Sequence, residues 1–247
     1  MKLANKVAIV TGAGRNIGED TSKLLASEGA TVAVVELDRR GFQAHFHAVG
    51  DGAVRLALDA VAAAIRANGD SGRRHHVAHL EVVNPADWPR FAELGVVANI
   101  QPFWAVADEQ MQQLRIPYLG EERTAWQMPF ASLARNGARL AGGSDWNVTT
   151  ANPLLEIEVA TRRIAPDHRD ADPFLPDERL TLDQALGAFT LGTAHLNHLD
   201  ADTGGIEIGK LADLVILDRD LRAPGAGPIG EARVSATFVA GREVFGG

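Results

Sequence analysis

A strand-then-helix repeat is what most limits how this chain can fold. Phe42 to Val49, His75 to Glu81, Val96 to Gln101 and Arg139 to Asp145 are short, β-rich runs. Helical signals separate them. After the first run, Val54, Leu58, Val61 and Ile65 step by four, three and four residues, which is one face of a helix. After the second, Asn84-Pro85 is an N-cap with proline at the first helical position, and Gly95 closes the segment. A longer insertion containing aromatic residues follows the third and runs to about Gln127, with a helix over Pro129 to Asn136. After the fourth, Asn152-Pro153 repeats the cap before a helix to about Ile164, and Thr181-Leu182-Asp183-Gln184 is a capping box that opens another. Strands joined through helices pair in parallel. The predicted class is therefore α/β, with parallel strand–helix repeats forming either a partial TIM-barrel-like sheet or an open, doubly wound one.

The flanks differ from this middle. Lys6 to Val10 is a short strand that runs into Thr11-Gly12-Ala13-Gly14. A helix follows, with Ile17, Leu24 and Leu25 on one side and Gly29 as its C-cap, and then a second strand over Thr31 to Val35 that ends at Glu36. That is a Rossmann-like βαβ unit. At the other end, Leu214 to Leu217 is a strand, and Val234 to Val239 and Glu243 to Phe245 form a hairpin across Ala240-Gly241-Arg242. The expected organisation is 1–40 as the βαβ segment, 41–203 as the repeat region and 204–247 as a small β segment. The stretch 166–178, rich in proline and aspartate, is expected as a surface loop.

Composition removes several kinds of chemistry. The 247 residues include no cysteine, which excludes disulfide scaffolds, thiolate metal sites and thiol nucleophiles. A net charge of -8 argues against nucleic acid as a partner. No stretch approaches the roughly 20 apolar residues of a membrane helix, so no membrane partner is expected. The simplest location is cytoplasmic, and the expected partner is a small-molecule substrate. A homo-oligomer stays open, because a sheet of few parallel strands needs its edge covered.

Two constellations carry chemistry. In the first, Gly12, Gly14 and Gly18 lie between a strand and a helix, where glycines let a pyrophosphate approach the backbone and the helix N-terminus. Glu36, at the end of the next strand, could accept from an adenosine ribose hydroxyl, which favours NAD. In the second, the strand ends of the repeat region carry polar groups: His47, His79 and Asp145. Parallel strands deliver such residues to one rim, where α/β barrels hold their active sites. Two imidazoles and a carboxylate suit a divalent metal, zinc first. Asp145 is also the candidate acid–base group that moves a proton from water to a leaving nitrogen.

The first forty residues resemble the start of the short-chain dehydrogenase/reductase family, whose pattern is Thr-Gly-x-x-x-Gly-x-Gly. Asn16 stands where that pattern has its middle glycine. The family's catalytic tyrosine precedes a lysine by four residues, whereas the chain's one tyrosine, Tyr118, is followed by Leu119-Gly120-Glu121-Glu122. The resemblance therefore implies at most half a nucleotide cradle, without the hydride-transfer pair.

From Gly41 to Phe245 the chain resembles the C-terminal half of the metal-dependent amidohydrolase superfamily, in the branch that includes N-substituted formamide deformylases. The segments that carry this are 41–51 (GFQAHFHAVGD), 74–80 (RHHVAHL), Gln101-Pro102, Gly143-Ser144-Asp145-Trp146 and 209–218 (GKLADLVILD). The resemblance implies His47 as the fifth-strand metal ligand, His79 as the sixth-strand ligand and Asp145 as the eighth-strand acid/base. It also implies a first-strand His-x-His pair and a fourth-strand bridging ligand, and neither precedes Gly41. The expected function is metal-dependent hydrolysis of a non-peptide C–N bond, an amide or formamide, with full activity needing the absent ligands. The alternatives are an NAD(P)-dependent reductase-like protein and an inactive chimera of the two families.

Overall fold

A computed structural model describes residues 32–246 of the chain. Four strands, β1 (His45–Ala48), β2 (His76–His79), β3 (Val97–Ile100) and β4 (Leu140–Gly142), form one parallel sheet in chain order. Each lies inside a run that the sequence marks as a strand. Among the described residues the sheet has four strands and no closed barrel. A second, antiparallel sheet has the order β5 (Leu214–Leu217), β6 (Val234–Val239) and β7 (Arg242–Gly246). It includes the hairpin expected around Ala240-Gly241. The chain separates into two compact units: residues 1–99 with 122–139, and residues 100–121 with 140–247.

In the first unit, β1 and β2 pair in parallel with His45 opposite His76 and His47 opposite Ala78. Helix α1 (Val32–Arg39) precedes them, and α2 (Asp51–Asn68) follows β1. Val54, Leu58 and Val61 of α2 are fully buried or nearly so, as the periodicity predicts, with Ala57 and Ala64 filling the same face. Asn84 caps the next segment by accepting from the Ala86 amide at 2.9 Å. That segment is a 3-10 turn (Pro85–Asp87) leading into α3 (Trp88–Glu93), rather than one continuous helix. Pro89 is the reason: it has no N–H to bond the carbonyl of Pro85, which takes the Trp88 amide instead. The buried Asp87 carboxylate then accepts from Arg55 and Arg90.

The N-terminal expectation needs a correction. Of the strand expected over Thr31–Val35, Val32 to Val35 is helical, since Val32 to Arg39 is α1. Glu36 therefore sits inside a helix, not at a strand end, and the βαβ reading fails at its second strand. A valine-rich run is ambiguous between strand and buried helix when read by composition alone. Tertiary contacts decide it here. Asp38, in the last turn of α1, is buried and accepts from the Ser71 hydroxyl, from Asn68 Nδ2 (2.8 Å) and from His75 Nε2 (3.2 Å). Those bonds hold α1 against the end of α2 and the start of β2. The glycines of the expected phosphate turn, Gly12, Gly14 and Gly18, lie outside the described residues.

The second unit contains α4 (Ile116–Thr124) up to its break at Gly120, where φ is 75°. Helix α5 (Phe130–Arg135) belongs to the first unit, where it packs on α3. The second unit continues with α6 (Pro153–Arg162), capped by Asn152, which accepts from the Leu154 amide at 3.0 Å. The predicted capping box closes on α7 (Leu182–Gly187), with Thr181 and Gln184 bonding each other's backbone amides. A π-helical turn and α8 (Thr193–Leu196) follow and pack on β4. That packing needs a glycine at 192, because a Cβ there would run into the carbonyl oxygen of Leu140. No described helix is long and apolar enough to cross a membrane.

Candidate functional site

Five of the first unit's histidines fall on or beside two adjacent strands, and register determines which of them meet. Pairing puts His45 beside His76. The two rings stand edge to face with Nδ1 of His45 2.6 Å from Nε2 of His76. Simple alternation would place His79 on the opposite side from His76 and Ala78. His79 has φ of 73°, however, and Leu80 has 57°, so the pleat is broken where the strand ends. The His79 ring meets His47 edge to face, with centroids 4.4 Å apart. Left-handed backbone at a non-glycine residue is costly and concentrates at functional positions.

Three of these imidazoles, His45, His75 and His76, are held towards the neutral form by burial. Burial pushes His76 down to about 4, and the neighbouring His45 adds to the effect. Burial also lowers His45, with His47 contributing. His75 is lowered by burial in spite of its bond to Asp38, and its Nδ1 accepts the Ala44 amide at 2.9 Å, so the proton sits on Nε2. Neutral imidazole is the form that donates to a metal. The ring contact of His47 with His79 brings two nitrogen donors together at the strand ends. Among the described residues, no group of three or more histidine, aspartate and glutamate side chains gathers that could hold an ion. What the first unit displays is a pair of donors.

Asp145 lies in the second unit, three residues beyond β4, also in left-handed backbone with φ of 58°. Its carbonyl accepts from the amides of Val148 (2.8 Å) and Thr149 (3.3 Å). Its Oδ2 accepts from the indole N–H of Trp104 at 3.2 Å. The structure gives Trp104 the contact with the carboxylate and leaves Trp146 70% exposed.

One residue escaped the sequence altogether. Glu156, in the first turn of α6, is completely buried. Its Oε2 accepts from the Phe103 amide at 2.7 Å, and Oε1 lies 3.5 Å from the Thr149 hydroxyl. Burial pushes its pKa up to about 8, and the charge of Asp145 contributes in the same direction. An acidic residue in a first helical turn is ordinary dipole placement, so nothing in the sequence flags it.

The model of the amidohydrolase family matches residues 4–245. The chain belongs to the amidohydrolase family. It is 36% identical over 209 residues to Protein LONG AFTER FAR-RED 3 of Arabidopsis thaliana, covering 84% of this chain and 35% of that protein. It is 29% identical over 209 residues to the N-substituted formamide deformylase of Arthrobacter pascens, covering 84% of this chain and 37% of that one. Among solved structures, an uncharacterized metal-dependent hydrolase from Pyrococcus horikoshii matches with a TM-score of 0.66 at 26% identity, over 90% of this chain and 41% of that chain. The amidohydrolase chain thus spans about a third of the length of the curated relatives it matches. The family match starts well inside the first forty residues, so the dehydrogenase-like start, the NAD site and the chimera reading find no support in the comparisons.

Proposed function

We propose that this chain carries part of a metal-dependent hydrolase site, with His47 and His79 as metal ligands and Asp145 as the acid–base group. The substrate class is a small molecule with a non-peptide C–N bond, an amide or formamide. The observation that carries this is the meeting of His47 and His79 at the ends of β1 and β2, on strands within the range that the family model matches. The names of two relatives support it: one is an N-substituted formamide deformylase, another an uncharacterized metal-dependent hydrolase.

Zinc is the first choice of ion, given nitrogen and oxygen donors and no thiolate. When bound, a divalent ion would supply Lewis-acid polarisation of the scissile carbonyl and acidify water. The chain's own residues do the rest. Asp145, held at Oδ2 by the Trp104 indole, takes up the proton of the attacking water at its other oxygen and returns it to the leaving nitrogen. The left-handed turn at Asp145 and the bonds to its carbonyl fix the carboxylate for that transfer.

The test is metal content by mass spectrometry after zinc loading and dialysis of the full chain and of His47→Ala and His79→Ala. The expected outcome is metal retained by the parent and lost by both variants. Equal metal content in all three would refute the ligand assignment.

A further inference from the structure

Two pieces of chain hold Asp145. One is the 3-10 turn Pro102–Trp104, which brings the indole to Oδ2. The other is the segment from Ser144 to Thr149, which folds back on the Asp145 carbonyl. Both are fastened to the same buried side chain. Glu156 takes the Phe103 amide on Oε2, one residue before Trp104. It meets the Thr149 hydroxyl with Oε1, and that hydroxyl also bonds the Ser144 carbonyl.

We propose that Glu156 is a positioning residue that sets the orientation of the Asp145 carboxylate, through Phe103 and Trp104 on one side and through Thr149 and Ser144 on the other. This rests on the reading of Asp145 as the acid–base group. A buried carboxyl is an expensive way to fill space, and an apolar side chain would pack there without its desolvation cost. Its two oxygens are spent on the two segments that hold Asp145. A raised pKa agrees with this use. A carboxyl that keeps its proton near neutral pH adds no second full charge beside Asp145, and its own O–H can serve Thr149 while the threonine proton goes to Ser144.

Hydrogen exchange on the full chain, read by NMR, tests this with no need of a substrate. The probes are the Phe103 amide and the Trp104 indole N–H, which Glu156 does not touch. In Glu156→Leu both are expected to exchange about tenfold faster or more, as for a buried donor losing its partner. Glu156→Gln keeps an acceptor for Phe103, so both probes should stay within about twofold of the parent. Asp145→Ala should release the indole and leave the Phe103 amide protected. A merely structural role for Glu156 would instead raise exchange throughout α6. An indole that stays protected in Glu156→Leu while the Phe103 amide is released overturns the proposal. Should Glu156→Leu not fold, Thr149→Val cuts the second arm alone. A two- to fivefold faster indole supports the bracket, and an unchanged indole refutes it (roughly the range for one weak bond). The metal assay separates this from the hydrolase reading. If His47→Ala and His79→Ala keep metal as the parent does, that reading fails while the bracket can stand.

Discussion

The two compact units solve the same problem with opposite charge types. The first buries imidazoles beside β1 and β2, and the second buries a carboxyl beside Asp145. Burial is the leading cause in both, and in both it favours the neutral form: His76 is pushed down to about 4, Glu156 up to about 8. The shifts point in opposite directions because imidazole gains charge with a proton and carboxyl loses it. Desolvation thus favours neutral His45, His75 and His76 in one unit and a protonated Glu156 in the other. It also gives the units opposite sensitivities to pH.

The largest effect is expected in the second unit. Glu156 binds its proton more tightly folded than unfolded, so its contribution is complete below pH 4.5 and is lost as pH rises towards about 8. The loss is on the order of 4 kcal/mol. Glu156→Gln cannot titrate and should flatten that part of the profile. Denaturant unfolding of parent and variant at pH 5 and pH 8.5 checks this. If both lose the same stability between those conditions, burial of Glu156 does not govern the alkaline limb.

The mirror prediction concerns His76. Its folded pKa is depressed, so its contribution is present above pH 6.5 and is lost as pH falls towards about 4. The magnitude is on the order of 3 kcal/mol. His76→Gln should lose less stability than the parent between pH 7 and pH 4.5, measured in the same way. A variant that is just as acid-sensitive would break the contrast between the units.

How far the sequence reaches differs along the chain. The four parallel strands were legible because each is a short β-rich run between helix signals, and the C-terminal hairpin because Ala240-Gly241 punctuates it. His47, His79 and Asp145 were legible as candidates because strand ends of a parallel sheet share a rim. What failed was local pattern overridden by long-range contact. Val32 to Val35 looks like a strand, but the helix there is fixed by Asp38 bonding Asn68, Ser71 and His75, thirty or more residues away. Glu156 and Trp104 were missed for a related reason. Their roles exist only once 103–104, 145–149 and 156 are folded together. The contact between His47 and His79 depends on a left-handed residue at 79, which no strand pattern announces.

The smallest effect compares two identical-looking caps. Asn84-Pro85 and Asn152-Pro153 both bond the amide two residues on, at 2.9 and 3.0 Å. Asn152 opens a ten-residue helix, so Asn152→Ala should cost about 1 kcal/mol. Asn84 opens a three-residue turn that Pro89 has already separated from α3, and Asp87, clamped by two arginines, fixes the same turn independently. Asn84→Ala should therefore cost about half as much or less. Denaturation midpoints of the two variants decide the order. The reverse order would mean that the cap, rather than the Asp87 cluster, holds the turn after β2.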